Sequence, residues 1–181
     1  MKELSLNILD IAKNSVRAGA SLIKISLNTD ENSILTVEIR DNGCGMSEDV
    51  LRNVTDPFYT TRTTRKVGLG LPLLKLAAEQ TGGDLFLESS TEEGRSGTLL
   101  RVVFDTKSID CMPMGDIVST VCILISGSPE IDFEFSDTDP KGSVSLKTEE
   151  LRAVLGEVSL AEPAVVQWMK EYLEEQYSQK N

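Results

Sequence analysis

The sequence has no histidine, only three cysteines and no long hydrophobic run, and each shortage excludes a class of protein. Without histidine, a Ser-His-Asp hydrolase is excluded, and this chain does not itself carry a phosphohistidine. Cys44, Cys111 and Cys122 show no paired spacing, so we expect reduced thiols rather than a disulfide framework or a structural zinc site. No apolar run approaches the roughly 20 residues of a membrane helix, and the amino terminus lacks a signal-peptide core, which predicts a cytoplasmic protein without a membrane segment.

Positive charge is also scarce. The 181 residues include 29 acidic and 18 basic side chains, a net charge of −11, and residues 106–181 hold 14 of the acidic and 6 of the basic ones. Because nucleic-acid phosphates repel such a surface, we expect no nucleic acid partner. The length suits one domain, or one domain with a small appendage.

The first segment predicts an amphipathic helix over residues 2–18. Asp10 and Asn14 are four residues apart and Arg17 follows three later, so these side chains share one side of the helix. A polar stripe of this kind is more often a solvated surface than a site, so the stripe alone assigns no function.

Alternating hydrophobic residues predict a β-hairpin over 21–28 and 34–40, and its second strand runs into Asp41-Asn-Gly43-Cys-Gly45-Met46. A carboxylate at a strand end, followed by glycines that permit close backbone approach, can accept a hydrogen bond from an exocyclic amine. The same residues are also typical of an ordinary turn. Ser47 and the acidic residues after it predict a short helix over 48–54.

A polar, cationic segment over residues 56–66 shows neither the hydrophobic period of a helix nor that of a strand. It predicts a loop that suits a lid over phosphates. Gly68-Leu-Gly70-Leu71-Pro72 then predicts a helix from about Pro72 to Thr81, since proline suits a first helical turn. Glycines before a helix leave free N–H groups for an anion. With strands over 84–89 and 97–104, this order favours an α/β (α+β) two-layer sandwich of helices on a mostly antiparallel, mixed sheet.

These motifs, in this order, resemble the ATP-binding domain shared by gyrase, histidine kinases and MutL-type ATPases, the GHKL superfamily with the Bergerat fold. Asn14-Ser-Val-Arg17-Ala-Gly19-Ala resembles the N box, and Asp41-Asn-Gly43-Cys-Gly45-Met46 resembles the first glycine box. Asp56-Pro57-Phe58-Tyr59-Thr60-Thr61-Arg62 with Gly68-Leu-Gly70-Leu71 resembles the F box and second glycine box of sensor histidine kinases. The resemblance covers about residues 1–105, which we assign to a histidine-kinase-like ATP-binding domain.

The resemblance implies Mg-ATP as the ligand. Asn14 would supply an oxygen to Mg²⁺, and Asp41 would bind the adenine amine with Thr98 close by. Asp10 stands where the family has a glutamate proposed as general base, and its shorter side chain puts its reach in doubt. The other implied nucleotide contacts come from Arg17, Gly43, Gly45, Met46, Thr61, Arg62, Gly68, Leu69, Gly70 and Leu71.

Two departures separate this sequence from a sensor kinase. Lys66-Val67 replaces the usual Gly-Thr pair and should stiffen the lid. No helical hairpin carrying a phosphoacceptor precedes the N-box helix, so we do not expect a complete sensor histidine kinase.

Residues 106–181 match no family that we can name. They predict an acidic αββαα extension: a buried helix over 113–126, a hairpin around Asp137-Thr-Asp-Pro-Lys-Gly, and helices opening at Thr148 and over 161–177. The extension either stabilises the edge of the sheet or docks a partner protein. A docking role would use an exposed acidic face on the last helix that contains Trp168, Met169, Tyr172 and Leu173.

Three functions remain open at the level of sequence. The chain phosphorylates, or regulates with Mg-ATP, a separate partner protein; or it is a non-enzymatic nucleotide sensor; or it is a MutL-type ATPase that forms a homodimer on ATP.

Overall fold

A computed structural model describes residues 3–56 and 70–180. In the first part of the chain, the described elements lie within two residues of the predicted ones, because the hydrophobic period changes clearly between helices and strands. Their bounds are α1 Leu4–Arg17, β1 Leu22–Thr29, β2 Ile34–Asp41, α2 Glu48–Asn53, α3 Gly70–Gln80, β3 Leu85–Ser90 and β4 Gly97–Asp105.

The second part of the chain forms the predicted helix, hairpin and two further helices. The first of these helices begins at Ile117, four residues later than predicted, because Gly115 has a positive φ of 76° and Asp116 caps the helix by accepting a hydrogen bond from the Ser119 N–H at 2.9 Å. The bounds are α4 Ile117–Gly127, β5 Asp132–Asp139, β6 Gly142–Lys147, α5 Thr148–Leu155 and α6 Pro163–Lys180.

The described strands form one six-stranded sheet in the order β3-β4-β2-β1-β5-β6. Neighbouring strands are antiparallel, except that β5 runs parallel to β1 with Ile25 opposite Phe135. Helix α1 packs between α3 and α4, and α4 packs against α6. This is the predicted α+β arrangement of helices on a mixed, mostly antiparallel sheet.

Alternation along the strands separates a buried face from a polar face. Ile23, Ile25 and Leu27 of β1 are buried in the core with α1 and α4. The residues between them point the other way, where Lys24 pairs with Glu134 at 2.9 Å. Because only one face of the sheet is buried under helices, the strand sequences alternate between apolar and polar residues instead of being continuously apolar.

The extension is built into the sheet through β1. Strand β2 pairs with β4 on one side and with β1 on the other. The second edge of β1 is therefore open to another strand, and β5 occupies it. The segment before α4 also contacts the start of α1, since the N–H groups of Leu4 and Ser5 donate to the carbonyls of Pro113 (3.0 Å) and Met114 (2.8 Å). These bonds satisfy N–H groups that a helix terminus leaves without intrahelical partners.

The face expected on α6 is only partly exposed, so that expectation was wrong for two residues. Met169 and Leu173 are 0% exposed and pack in the core, because with Val165 they recur every four residues and form a stripe that faces α4 and the sheet. Trp168 (48%) and Tyr172 (38%) lie outside that stripe, and their rings stack with centroids 5.0 Å apart. No helix within residues 3–56 and 70–180 is long and apolar enough to cross a membrane.

Candidate functional site

A cavity of about 360 Å³ lies between α1, the ends of β2 and β4, and the beginning of α3. The residues that line it lie far apart in the sequence, and its apolar walls include Ile39, Leu87 and Leu100. The residues around it that the sequence singled out are Asp10, Asn14, Arg17, Asp41, Gly45, Met46, Gly70, Leu71 and Thr98. Their roles as ligands remain predictions.

Asp41 is held in place by hydrogen bonds to both carboxylate oxygens. Ser15 Oγ donates to Oδ2 at 2.5 Å, and the N–H of Gly43 donates to Oδ1 at 2.9 Å. Ser15 is only 5% exposed, so its hydroxyl is a fixed donor rather than a solvated one. The two bonds set the orientation of the carboxylate, and each oxygen still has capacity for a further donor.

Ser89 joins the turn after β2 to the start of β4. Its hydroxyl donates to the carbonyl of Gly97 (2.9 Å), accepts from the N–H of Met46 (2.8 Å) and lies 2.8 Å from Thr98 Oγ1. Thr98 in turn pairs opposite Asp41 in the sheet register. This network places the threonine hydroxyl and the aspartate on one wall of the cavity.

Two glycines allow the strand ends to approach each other. A Cβ on Gly45, which has a φ of 71°, would lie 1.9 Å from the carbonyl oxygen of Ser90, and one on Gly97 would lie 2.2 Å from that of Asp41. Gly43 does not line the cavity, and a Cβ there would lie 2.8 Å from the carbonyl oxygen of Ala18. The glycine turn therefore shapes the cavity by backbone packing rather than by lining alone.

Asn14 and Arg17 interact directly on the cavity side of α1. Arg17 Nη1 donates to Asn14 Oδ1 at 2.8 Å, so the oxygen that was assigned to Mg²⁺ accepts from a guanidinium group. Over the described part of the chain, no cluster of three or more His, Cys, Asp or Glu could hold a metal ion. One amide oxygen fits Mg²⁺ only where phosphates and water supply most ligands, which is the usual manner of binding for this ion.

Asp10 faces the beginning of α3. A Cβ built on Gly70 would lie 2.7 Å from Asp10 Oδ2, so the missing side chain at this position makes room for the carboxylate. Leu71 lines the cavity beside it, and Pro72 is already within the described helix, which starts earlier than the predicted Pro72. Proline is tolerated there because the first helical turn needs no donor from it.

Sequence reasoning overlooked Ser15 and Ser89, and the lid that it predicted over residues 56–66 lies, apart from Asp56, outside the described residues. Ser15 directly follows Asn14 in the predicted helix, and that position was the available signal, since its burial is visible only in the structure. Ser89 has no local signal, because its partners lie in other strands and turns. The predicted contacts Thr61, Arg62, Gly68 and Leu69 lie outside the described residues.

Residues 2–108 match the family model described as histidine kinase-, DNA gyrase B-, and HSP90-like ATPase, so the chain belongs to this family. Among curated proteins, it is 32% identical over 107 residues to sporulation kinase E of Bacillus subtilis, covering 59% of this chain and 14% of that protein. It is 29% identical over 105 residues to a putative sensor protein of Shewanella frigidimarina, covering 58% and 15%. The chain thus matches about a seventh of the length of these relatives.

Two solved structures share the fold. The N-terminal domain of a DNA repair protein has a TM-score of 0.57 at 16% identity, covering 81% of this chain and 52% of that one. The Aquifex aeolicus MutL ATPase domain, solved as a complex with ADP, has a TM-score of 0.53 at 12% identity, covering 86% and 69%. Both coverages exceed the segment 2–108, so the likeness in fold extends into the carboxy-terminal part.

Proposed function

We propose that the chain binds ATP with Mg²⁺ in the cavity beside α1, and uses it to phosphorylate or to regulate a separate partner protein in cytoplasmic signal transduction. The observation that carries the proposal is the carboxylate of Asp41, which Ser15 and Gly43 orient at the wall of a cavity of about 360 Å³. Membership of the ATPase family supports a nucleotide as the ligand.

The base would lie at the Asp41 end. The free capacity of that carboxylate suits the exocyclic amine of adenine, which donates, and disfavours the carbonyl oxygen that guanine carries at the same position. Thr98 lies beside it, Gly45 and Met46 frame the same wall, and apolar side chains can pack against the purine faces.

The phosphates would lie toward Arg17 and the beginning of α3. Arg17 presents a guanidinium group suited to phosphate oxygens, and Gly70 and Leu71 are placed at a helix end where backbone N–H groups favour anions. When bound, Mg²⁺ neutralises phosphate charge, and Asn14 is the residue that would hold it once Arg17 turns from Asn14 Oδ1 to the phosphates. Thr61, Arg62, Gly68 and Leu69 would complete the phosphate contacts.

Catalysis would depend mostly on positioning and charge neutralisation, as phosphoryl transfer generally does. Asp10 lines the same cavity and faces Gly70, which places a carboxylate next to the proposed phosphate end. It would orient the attacking group or accept its proton. The partner's acceptor group would enter from the side of α1 that carries this residue.

A titration with ATP and GTP, each with and without Mg²⁺, tests the proposal. We expect tight binding of ATP with Mg²⁺ and much weaker binding of GTP. Asn14→Ala should remove the magnesium dependence while leaving unfolding cooperative. Equal affinity for both nucleotides, or an unchanged magnesium dependence in Asn14→Ala, would contradict the base and metal assignments respectively.

An analogue without the exocyclic amine tests the role of Asp41 itself. Asp41→Asn should weaken ATP far more than it weakens purine riboside triphosphate, since only ATP donates to the carboxylate. The matched control is Asp110→Asn, which removes the same charge from an exposed residue away from the cavity. Equal losses for both nucleotides in Asp41→Asn would rule out the adenine contact.

A non-enzymatic sensor is the second candidate, and the shorter side chain of Asp10 is the observation that favours it. If Asp10→Asn leaves nucleotide turnover unchanged, or the wild-type chain has no turnover while binding ATP, the sensor function is supported. ATP-dependent dimerisation in size-exclusion chromatography would instead support an ATPase that works as a homodimer.

A further inference from the structure

A second cavity, of about 950 Å³, lies at the opposite end of the sheet from the proposed nucleotide site, between the segment before α4 and the end of α6. Within residues 3–56 and 70–180, the two cavities share no lining residue. Leu35 of β2 lines this one and Asp41 of the same strand lines the other, so the two are about 20 Å apart along the strand.

The floor of this second cavity is apolar. Leu4 comes from the start of α1, Leu27 and Leu35 from the sheet, and Ile117 from the start of α4. All four are buried in the core. The wall above them is formed by flexible or polarisable side chains that adapt to the shape of a ligand: Cys111, Met112 and Met114.

The rim of the same cavity is acidic. Asp116, Asp137, Asp139 and Glu174 line it, and none of its described lining residues is lysine or arginine. Two lysines lie close to it: Lys180, which is 6% exposed at its side chain, bridges Asp137 (3.0 Å) and Asp139 (3.2 Å), and Lys170 lies 3.9 Å from Glu174. Two lysines do not balance four carboxylates, so a surplus of negative charge remains around an apolar floor.

Two of the rim carboxylates, Asp116 and Asp139, have a pKa below the ordinary value. Hydrogen bonds from Ser119 lower the pKa of Asp116. Burial alone would raise the pKa of Asp139, but the N–H of Lys141 and the charge of Lys180 lower it overall. Tyr177 donates to Asp137 Oδ2 at 2.6 Å, and burial raises the pKa of this phenol far above its usual range, so it stays a donor.

We propose that this second cavity binds a small organic cation with an apolar body. The volume lies within the range of ligand pockets, the floor can pack against the apolar body, and Asp116 and Glu174 on the rim can pair with the cationic group. A nucleotide or another anion would meet this surplus of negative charge, and a neutral apolar molecule would leave it uncompensated. The site is therefore separate in place and in charge from the proposed ATP site.

The rate of alkylation of Cys111 can report whether this cavity is occupied, and that of Cys44 provides an internal control. Cys111 lines the cavity, whereas Cys44 is exposed at the glycine turn beside the other cavity. The full chain would be alkylated with iodoacetamide at a pH of about 8.5, because burial and the charge of Asp105 raise the pKa of the Cys111 thiol. The probes would be 1-naphthylmethylamine and its neutral analogue 1-naphthalenemethanol, with peptide mass spectrometry as the readout.

We expect the amine to slow alkylation of Cys111 and not that of Cys44, and to raise the unfolding temperature. The alcohol should bind about tenfold more weakly, since it lacks a charge-assisted bond to the rim. ATP should not protect Cys111. Equal protection by amine and alcohol, or no protection of Cys111 by the amine at millimolar concentration, would overturn the proposal.

Charge variants test the rim without breaking the fold. Asp116→Asn keeps a side-chain acceptor for the α4 cap, and together with Glu174→Gln it should weaken the amine about tenfold while leaving the alcohol unchanged. Glu157→Gln, an exposed acidic residue outside the cavity, removes charge without touching the rim and should leave binding unchanged. An equal effect of Glu157→Gln would show that net charge, and not this cavity, attracts the amine.

Discussion

Ser15 Oγ donates a hydrogen bond of 2.5 Å to Oδ2 of Asp41, and this contact joins α1 to the end of β2 across 26 residues of sequence. The helix that carries Asp10, Asn14 and Arg17 is thereby fixed relative to the strand end that carries the proposed adenine contact. We expect the distance between the proposed base end and the proposed phosphate end of the cavity to depend on this bond.

We predict that Ser15→Ala weakens both the fold and the site. Loss of a charge-assisted bond to a partly buried carboxylate should lower the free energy of unfolding by about 1–3 kcal/mol and reduce ATP affinity several-fold. Urea unfolding and nucleotide titration measure the two effects. Ser5→Ala, a buried serine on the same helix away from the cavity, should leave ATP affinity unchanged. Normal ATP affinity in Ser15→Ala would show that the bond does not position Asp41.

The glycine turn can be tested with two alanine substitutions of similar backbone strain. Gly19 and Gly45 have φ values of 74° and 71°, but a Cβ on Gly19 meets nothing within 4 Å, whereas one on Gly45 would lie 1.9 Å from the Ser90 carbonyl oxygen. Gly19→Ala should cost only the backbone strain, roughly 1–2 kcal/mol of unfolding free energy. Gly45→Ala should cost clearly more and lower nucleotide binding, because β3 must move away from the turn. Similar losses for both variants in urea unfolding would contradict the close approach.

Gly70 provides a test of Asp10 that separates activity from stability. A Cβ there would displace the Asp10 carboxylate, which is the end of a side chain and can move, while alanine favours the helix over glycine by at most about 1 kcal/mol, the value for a helix interior. Gly70→Ala should therefore keep or raise stability but lower nucleotide turnover. Gly127→Ala in α4, where nothing lies within 4 Å, is the control and should leave turnover unchanged. Unaltered turnover in Gly70→Ala would argue against a catalytic position for Asp10.

The cap of α4 predicts a pH dependence of stability. Hydrogen bonds from Ser119 hold the pKa of Asp116 in the folded protein below its ordinary value of 3.8, so this carboxylate stabilises the fold fully above that value and loses the effect as pH falls through the lower folded value. Asp116→Ala should cost about 1 kcal/mol at neutral pH. The difference from wild type should shrink below about pH 4 in urea unfolding. A difference that stays constant with pH would show that the charge of Asp116 does not contribute to the cap. The control is Asp110→Ala, at an exposed residue, which should show little effect at either pH.

The sequence alone predicted the described helices and strands of the first 105 residues to within two residues, because the features that determine them are local. Hydrophobic periods of 3.6 and 2 predicted the helices and strands, and the four-residue spacing of Asp10 and Asn14 placed both on one side of α1. Glycine at 43 and 45 predicted close backbone approach, and a Cβ at these positions would lie 2.8 Å from the carbonyl oxygen of Ala18 and 1.9 Å from that of Ser90. The order of these motifs was sufficient to identify the family.

Only the tertiary structure decided how distant parts of the chain meet. No local pattern requires β5 to pair in parallel with β1, Ser89 to join Met46 with Thr98, or Met169 and Leu173 to face inward while Trp168 and Tyr172 do not. The acidic rim of the second cavity likewise combines the N-cap residue of α4 with residues of β5 and α6. Such contacts depend on which edges and faces remain unpaired after the local elements have formed, and that selection is made by packing across the whole chain.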